Sequence, residues 1–584
     1  MRFVALATDY DGTLARHGLV APETFEALRA VRESGRRLIL VTGRGLGDLL
    51  ETFPEAHVFD RIVAENGGQL YRTETREQVL LTRPADERLV QELRRRRVDP
   101  LSVGAAVVAT WEPHQDTVLE AIKELGLELQ VIFNKGAVMV LPSGVNKASG
   151  LAAALAELGL SRHNVAGIGD AENDHAFLEL CECGAATANA LPALKDTADH
   201  VTAAEDGAGV REFIGRLLED DLQQVASRVR RRPLTLGDRE GDEVGIPAHG
   251  PGLLLAGPSG SGKSTLATAL LEQLREREYQ VLIVDPEGDY GELADAGVLG
   301  TPHRPPAADE IMNLLARPDQ TIVVSLVGLA PAERPHFFAE LLPRLLAFRA
   351  ETGRPHWVQV DEAHHLLPAS LQTAAQQLPQ ELRGFSWLTV HPDMVAPPVL
   401  RTIGVAVAVG DEASETLAGF ARAAGAEPPD DAPITRPGEE RGAADEAGGA
   451  DGAGKRSAVL WRLGHTPVRF TPRRPRQQML RHRRKYAQGE LEPHDSFYFR
   501  GPDGRLNLRA QNLFLFLQIA EGVDDETWMY HLRRHDYSDW MREKVSDDEL
   551  AEVVADAEGD DDLDAAESRA RVRQAIEDRY TAPA

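Results

Sequence analysis

The sequence predicts a multidomain α/β protein: two largely parallel sheets in succession, followed by a small α+β module. Three observations carry that expectation. Short apolar runs alternate with amphipathic stretches from residue 1 to about 218, as in "RFVALATDYD", "PETFEALRAVRESG", "RRLILVTGR" and "NVAGIGDAEND". That order is the pattern of βαβ units. A further apolar run, "GLLLAGPSGSGKSTLATALLEQL", passes through a glycine-rich loop into an amphipathic helix. At 584 residues and 42% hydrophobic, the chain can bury several cores, roughly one per 150 residues.

Composition excludes several classes. A net charge of -28 argues against nonspecific binding of a polyanion by the whole surface, because such binding neutralises phosphates with Lys and Arg. No apolar run approaches the ~20 residues of a membrane span, and the N-terminal apolar stretch is too short for a secretory signal. The expected location is the cytoplasm, with no membrane partner. Cys181 and Cys183 are too close for an ordinary bridge and lack a second pair to complete a zinc site, so they read as reduced and structural.

The first apolar run ends in "DYDGT", where Asp9 and Asp11 leave the strand. Open α/β sheets bind ligands at that edge, and alternation would point both carboxylates to one side. Three more polar clusters stand at strand ends: Thr42 and Gly43 in "LVTGR", Lys147 in "LPSGVNKASGL", and Asp170, Asn173 and Asp174 in "GIGDAENDHAFL". Carboxylates, a lysine and a threonine brought together suit phosphoryl transfer to a carboxylate. One aspartate attacks phosphorus, a second acid protonates the leaving oxygen, and Mg²⁺ offsets the gathered charge.

These four ordered motifs resemble those of the haloacid dehalogenase superfamily, in its Cof-like phosphatase branch, over roughly the first 215 residues. The resemblance implies a Rossmann-like parallel sheet with an α/β cap inserted at about 83–140. It implies Asp9 as nucleophile and Asp11 as general acid/base, with Thr42, Gly43, Lys147 and Asn173 around the phosphoryl group. Asp9, Asp11, Asp170 and Asp174 would surround Mg²⁺. "AENGGQLY", with Asn66, precedes the cap, and Asn134 and Lys135 are its candidate substrate contacts. The implied substrate is a small phosphorylated metabolite such as a sugar phosphate.

The second apolar run forms a phosphate-binding loop with Gly257, Gly260, Gly262, Lys263, Ser264 and Thr265. Backbone amides and the helix N-terminus would surround the phosphates of ATP, Lys263 would reach the β and γ groups, and Ser264 would ligate Mg²⁺. "HWVQVDEAHHLLP" is a strand ending in Asp361 and Glu362. Asp361 would orient the metal shell and Glu362 would polarise a water, which a hydrolase needs and a kinase does not. "QVLIVDPEGDY", "TIVVSLVGL" and "SWLTVHPD", the last ending at His391, add strands. This order resembles the additional-strand ATPases, and "DPEGDY" with "DEAHHLLP" is similar to the HerA-type branch, over about 233–410. The resemblance implies a P-loop NTPase sheet, His391 where such translocases often carry an amide, and a ring of identical chains completed by a neighbour's arginine. Arg383 and Arg401 are positional candidates for that finger.

Residues 219–232 read as a charged helical linker and 233–475 as the ATPase domain, with a disordered loop at about 424–455 and two returning strands in "AVLWRLGHTPVRFTP". The segment 476–550 contains the basic "RRPRQQMLRHRRKYAQGEL" and an α+β module whose Trp528, Tyr530, Tyr537 and Trp540 read as core. His531 and His535 lie four apart on one predicted helical face without a third ligand. Residues 551–584 read as an acidic tail with a short helix. The arginines of the basic stretch offset acidic surface, so nucleic acid is the less favoured partner. The leading reading is a bifunctional Mg²⁺-dependent phosphatase fused to an ATPase. Its alternatives are a HerA-like nucleic-acid translocase with a nucleotide or DNA-end phosphatase, a polynucleotide kinase-phosphatase-like enzyme, and a scaffold gated by ATP occupancy.

Overall fold

The computed structural model describes residues 1–580 apart from 135, 227–232, 292, 294, 371–377, 380, 430–456, 477–490, 492, 494, 546 and 561. The first sheet runs in the order His200–Val201, Cys183–Ala186, Val165–Gly169, Ala5–Thr8, Arg37–Val41, Arg61–Ala64, Gln69–Arg72 and Glu77–Leu80. The first six strands are parallel and the last two antiparallel. Its inner strands are apolar at nearly every position because both faces are covered. Leu6, Leu38, Leu40 and Ile168 pack on one side with Leu28 and Phe213, while Ala5, Ala7, Ile39 and Val41 pack on the other with Leu151 and Leu155. Successive residues of a strand serve opposite cores. The Ala5–Thr8 strand lies between Arg37–Val41 and Val165–Gly169, where the winding reverses and a crevice opens at the carboxyl edge.

A four-stranded antiparallel sheet, Leu129–Asn134, Ala137–Pro142, Val108–Trp111 and Ser102–Val103, forms the cap. The helices Glu87–Arg95 and Gln115–Leu125 bury Leu89, Leu93 and Val118 against its Val138 and Val140.

Among the described residues the second sheet has eleven strands. Its parallel part runs Ile403–Val409, Gly252–Ala256, Phe385–Thr389, Trp357–Val360, Val281–Asp285, Thr321–Ser325 and Ala296–Leu299. Phe385–Thr389 is thus interposed between the strand before the glycine-rich loop and the strand before Asp361. Beyond Ile403–Val409 come Ala458–Arg462, Val468–Pro472, Pro233–Arg239 and Asp242–Pro247, all antiparallel.

Two boundaries differ from expectation. Residues 219–226 are not free linker: Leu222 and Val225 join the first core, and Asp221 accepts from Arg36 (2.9 Å) and from the amides of Phe3 (3.3 Å) and Arg2. Residues 551–580 are not a tail. The helices Asp548–Glu558 and Ala565–Tyr580 bury Val554, Ala557, Val572 and Ile576 in the core of the C-terminal module, and Trp528 Nε1 donates to Ser568 Oγ (2.9 Å). Acid-rich composition there hid an apolar stripe at helical spacing. Most of the basic stretch and of the 424–455 loop lies outside the described residues; the part described shows Ala424 and Ala426 packed on the second core.

The two sheets meet through their amino edges. Asn164, just before Val165–Gly169, donates to the carbonyls of Arg2 (2.8 Å) and Gly353 (3.2 Å), and its Oδ1 faces His356 Nε2 (3.1 Å). Glu182, just before Cys183–Ala186, accepts from Arg2 (2.5 Å) and from Tyr279 OH (3.0 Å) and meets His163 Nδ1 (2.7 Å). His163 stacks on Tyr279 with ring centroids 3.6 Å apart. A Cβ on Gly353 would lie 2.3 Å from Asn164 Nδ2, so this approach requires glycine. Tyr279 and His356 lead into Val281–Asp285 and Trp357–Val360. Both carboxyl edges, with every candidate catalytic residue, therefore face away from the joint.

Candidate functional site

At the carboxyl edge of the first sheet, Asp9 directly follows the Ala5–Thr8 strand and its amide bonds to the Ile168 carbonyl (3.0 Å). Lys147 opens the helix Lys147–Leu158, whose start is fixed by a reciprocal cap between Asn146 and Ser149. Its Nζ lies 2.5 Å from Asp9 Oδ1 and 2.5 Å from Asp174 Oδ1. The other oxygen of Asp174 accepts from the amides of Asp170 (2.8 Å) and Ala171 (2.9 Å), and Thr13 Oγ1 donates to Asp170 Oδ1 (3.0 Å). Oxygens of Asp9, Asp170 and Asp174, all buried, lie within 4.8 Å of one another. Burial, then the charge of Asp174, push the Asp9 carboxyl up to about 8, with Lys147 acting against them. For Lys147, burial opposes the ammonium, but Asp174 and Asp9 outweigh it and raise its pKa. Three acids gathered round one ammonium in a dry site cannot all ionise without further positive charge, which is why Asp9 is raised. A hard divalent cation with oxygen ligands, of which Mg²⁺ is the type, fits that donor set.

Asp11 departs from expectation. The strand ends at Thr8, the chain turns through Gly12 at φ +84, and alternation no longer applies. Its carboxylate is half-exposed and gripped by Arg44, Nε to Oδ2 at 2.6 Å and Nη2 to Oδ1 at 2.7 Å. Its side chain therefore stands outside the triad rather than among the metal ligands. Arg44, in the "VTGR" motif, was missed by sequence reasoning, although a guanidinium beside an exposed acid is the signal that would find it. Thr42 is buried at the end of Arg37–Val41 and its Oγ1 accepts from the Arg44 amide (3.1 Å). A Cβ on Gly43 would press on the Asn66 amide at 3.2 Å.

The same loops seat the cap. Asn173 Nδ2 donates to Asn66 Oδ1 (2.8 Å), and Asn66 Nδ2 reaches Met139 Sδ (2.8 Å) in the cap. Glu65, also unforeseen, accepts from the cap amides of Ala105 (2.9 Å), Ala106 (2.7 Å) and Val107 (3.1 Å). The Leu129–Asn134 strand packs on residues 172–174. Oδ1 of Asn134 is buried there with no hydrogen-bond partner among the described residues; Lys135 lies outside them.

At the carboxyl edge of the second sheet, the loop after Gly252–Ala256 turns through Gly257, Gly260 and Gly262, all at positive φ, into the helix Lys263–Glu276, which Lys263, Ser264 and Thr265 open. A Cβ on Gly257 would lie 2.3 Å from the Val409 carbonyl, so glycine is required there. Lys263 Nζ folds back on the carbonyls of Gly257 (2.8 Å) and Pro258 (2.9 Å). Asp361 and Glu362 follow Trp357–Val360. Burial first, then the charges of Glu362, Asp285, Asp289 and Glu287, raise the Asp361 carboxyl well above its ordinary range. His364 meets Glu362 Oε2 (3.4 Å) and Thr389 Oγ1 (3.0 Å), and burial lowers it to about 4. His391 is exposed, its ring 5.8 Å from that of His364. Arg383 and Arg401 precede Phe385–Thr389 and Ile403–Val409 and so stand at the amino edge, remote from the chain's own loop. Burial lowers Arg334, at the head of Arg334–Thr352, while the charges of Glu287 and Asp285 act against it.

In the C-terminal module the pair His531 and His535 does not share a helix face. The helix breaks at His535, φ +60, and His531 is engaged by Asp536 (2.7 Å) and the Arg500 amide (3.0 Å). Among the described residues no helix is long and apolar enough to cross a membrane.

Fold and site together define a phosphatase-type hydrolase on a Rossmann-like parallel sheet, followed by a second sheet with a phosphate-binding loop. Residues 6–97 and 101–214 match the family model of the haloacid dehalogenase-like hydrolases, and residues 242–390 match that of the AAA ATPase domain. A phosphoglycolate phosphatase of Methanothermobacter thermautotrophicus is 33% identical over 221 residues, covering 37% of this chain and 98% of that protein. Phosphoglycolate phosphatase 1 of Saccharolobus solfataricus is 27% identical over 235 residues, covering 37% and 96%. A solved haloacid dehalogenase-like hydrolase from Bacteroides thetaiotaomicron is 22% identical, covering 37% and 99%, with a TM-score of 0.33. The chain belongs to the haloacid dehalogenase-like hydrolases, and it joins that phosphatase unit to an AAA ATPase domain.

Proposed function

We propose that the first unit is a Mg²⁺-dependent phosphatase working through a phosphoaspartate at Asp9, and that the second hydrolyses ATP. The observation that carries the first half is Lys147, buried between Asp9 and Asp174 at 2.5 Å from each. It holds Asp9 in place for in-line attack and offsets charge on the incoming phosphoryl group. Thr42 and the Gly43 amide edge receive the phosphoryl oxygens. Asp11, held by Arg44 at the mouth, donates a proton to the leaving oxygen and then takes one from the attacking water. A cation at Asp9, Asp170 and Asp174 would supply the charge that lets an anionic nucleophile approach an anionic ester. The cap, seated through Glu65 and Asn66, excludes bulk water.

The relatives named for phosphoglycolate support a small phosphorylated acid or sugar phosphate as substrate. In the second unit, Lys263 would exchange its loop carbonyls for phosphate oxygens, Asp361 would stand at the metal shell, Glu362 would orient water, and His391 and Thr389 would face the γ-phosphate. The strand interposed before Asp361 and the acid pair itself support the HerA-type reading, in which a neighbour's arginine completes each site of a ring, over a kinase. An aryl phosphate assay tests the first half: turnover with Mg²⁺, loss with chelator, and a trapped acyl phosphate at Asp9 are expected. Turnover unaffected by chelation, or by Asp9→Asn, overturns it. Light scattering beside ATPase rates tests the ring, which a fully active monomer overturns.

A further inference from the structure

Beside the joint, remote from both catalytic edges, the two units enclose a crevice of about 320 Å³. Its charged lining comprises the Met1 ammonium, Arg2 and Asp221 from the first unit and His249, Arg349, Glu381 and Arg383 from the second, the ammonium donating to the Ala350 carbonyl (3.3 Å). Most of that charge is spoken for. Arg2 is paired with Glu182 (2.5 Å), Asp221 with Arg36 (2.9 Å), and Glu381 with Arg383 (2.8 Å). Arg349 has no carboxylate partner among the described residues. Its Nη2 donates to the carbonyl of Arg383 (2.8 Å) and, at 3.5 Å, to that of His356, and its guanidinium lies 4.9 Å from the Phe385 ring centroid. Nε and Nη1 have no acceptor among the described residues. The segments 371–377 and 380, outside the description, contain no Asp or Glu.

His249 forms no hydrogen bond among the described residues. Burial, then the charges of Arg2 and Arg349, hold it well below its ordinary pKa. Burial alone lowers Arg349 to about 10. Both side chains are half-buried in the crevice wall, where an unpaired cation attracts an anion more strongly than it would in open water. Two open guanidinium donors beside an imidazole match the fork that a tetrahedral oxyanion accepts.

We propose that this crevice binds a small phosphate-bearing anion, either orthophosphate or a compact phosphate monoester, held by Arg349 and His249 at the junction of the two units. The site is independent of both catalytic assignments, although orthophosphate is the product both would release. An anion held there by Arg349 and His249 of the second unit would lie beside Met1 and Arg2 of the first.

Equilibrium dialysis of the full chain against radiolabelled orthophosphate tests this, with Asp9→Asn and Lys263→Ala present to weaken the catalytic sites. One equivalent should remain bound. Adding Arg349→Gln should weaken it at least tenfold, Arg349→Lys should restore it to within a few fold, and His249→Gln should weaken it severalfold. No retained equivalent, or unchanged binding in both Arg349→Gln and His249→Gln, overturns the proposal. If Arg349→Gln lowers the unfolding temperature, His249→Gln decides, since that ring makes no hydrogen bond to lose. Methyl phosphate displacing the label with equal affinity assigns the site to monoesters; failure to displace assigns it to orthophosphate.

Discussion

Lys147 reaches across 138 residues of sequence to Asp9, whereas Lys263 reaches back six residues to Gly257. The first lysine is locked into a buried ion cluster assembled by two strand ends and a capped helix start. The second rests on carbonyls of its own loop. One centre is therefore preorganised by side-chain charge gathered from distant sequence, the other by backbone conformation written in seven consecutive residues. The contrast teaches where each is vulnerable: the first to loss of charge balance, the second to loss of a glycine or of the ligand that would hold its lysine.

The sharpest way to break the comparison is to remove one nucleophile and one phosphate ligand and ask whether each change stays local. Asp9→Asn should lower aryl phosphate turnover by roughly 10³-fold or more while ATPase stays within a few fold. Lys263→Ala should do the reverse, by roughly 10²-fold or more. A folded variant losing both activities would show that the centres are not separable. Stability separates the two lysines next. Without divalent cation, Lys147→Met strands buried carboxylates and should cost about 3–5 kcal/mol in urea unfolding, against about 1–2 kcal/mol for Lys263→Met, which strands only backbone carbonyls. Equal losses would remove the distinction. A third change addresses what joins the two centres: Gly353→Ala should cost about 1–3 kcal/mol through overpacking and split one calorimetric transition into two.

The smallest effect is a pH dependence at the joint. Burial, then the neighbouring His163, hold His356 well below its ordinary value of 6.5. Gln280 N donates to its Nδ1 (2.8 Å), so the neutral ring carries its proton at Nε2, facing Asn164. Above pH 6.5 the ring is neutral in folded and unfolded chains alike. Below it the unfolded chain takes up a proton that the joint refuses, so stability falls with falling pH, by at most about 1.4 kcal/mol per unit. The slope should shrink in His356→Gln, and an unchanged slope would place the titration elsewhere.

Much of this was legible because apolar runs ending in polar clusters mark carboxyl edges. "DYDGT", "VTGR", the lysine and "GDAEND" come together as parallel topology demands, and the glycine loop announces itself within one segment. What stayed hidden had non-local causes. Nothing in "DYDGT" says that the strand stops at Thr8 and that Asp11 turns to Arg44. Glu65 looks like an ordinary turn acid until the cap amides are seen above it. The acid-rich end concealed its apolar stripe because net charge outweighs spacing in a composition-based reading. The amino-edge joint, built from His163, Glu182, Tyr279 and His356, has no motif at all, since each residue is an unremarked position one or two places ahead of a strand.

Joining the sheets at their amino edges has a consequence for traffic. Each strand rises about 3.3 Å per residue, so two strand lengths of packed interior stand between the centres, and each mouth lies on the far side of its sheet from the joint. A product leaving one mouth enters bulk solvent and is diluted before it can find the other. Fusion here cannot serve direct handover of an intermediate. Whatever advantage it brings must lie in producing two activities in fixed one-to-one ratio, or in strain passed through the protein itself.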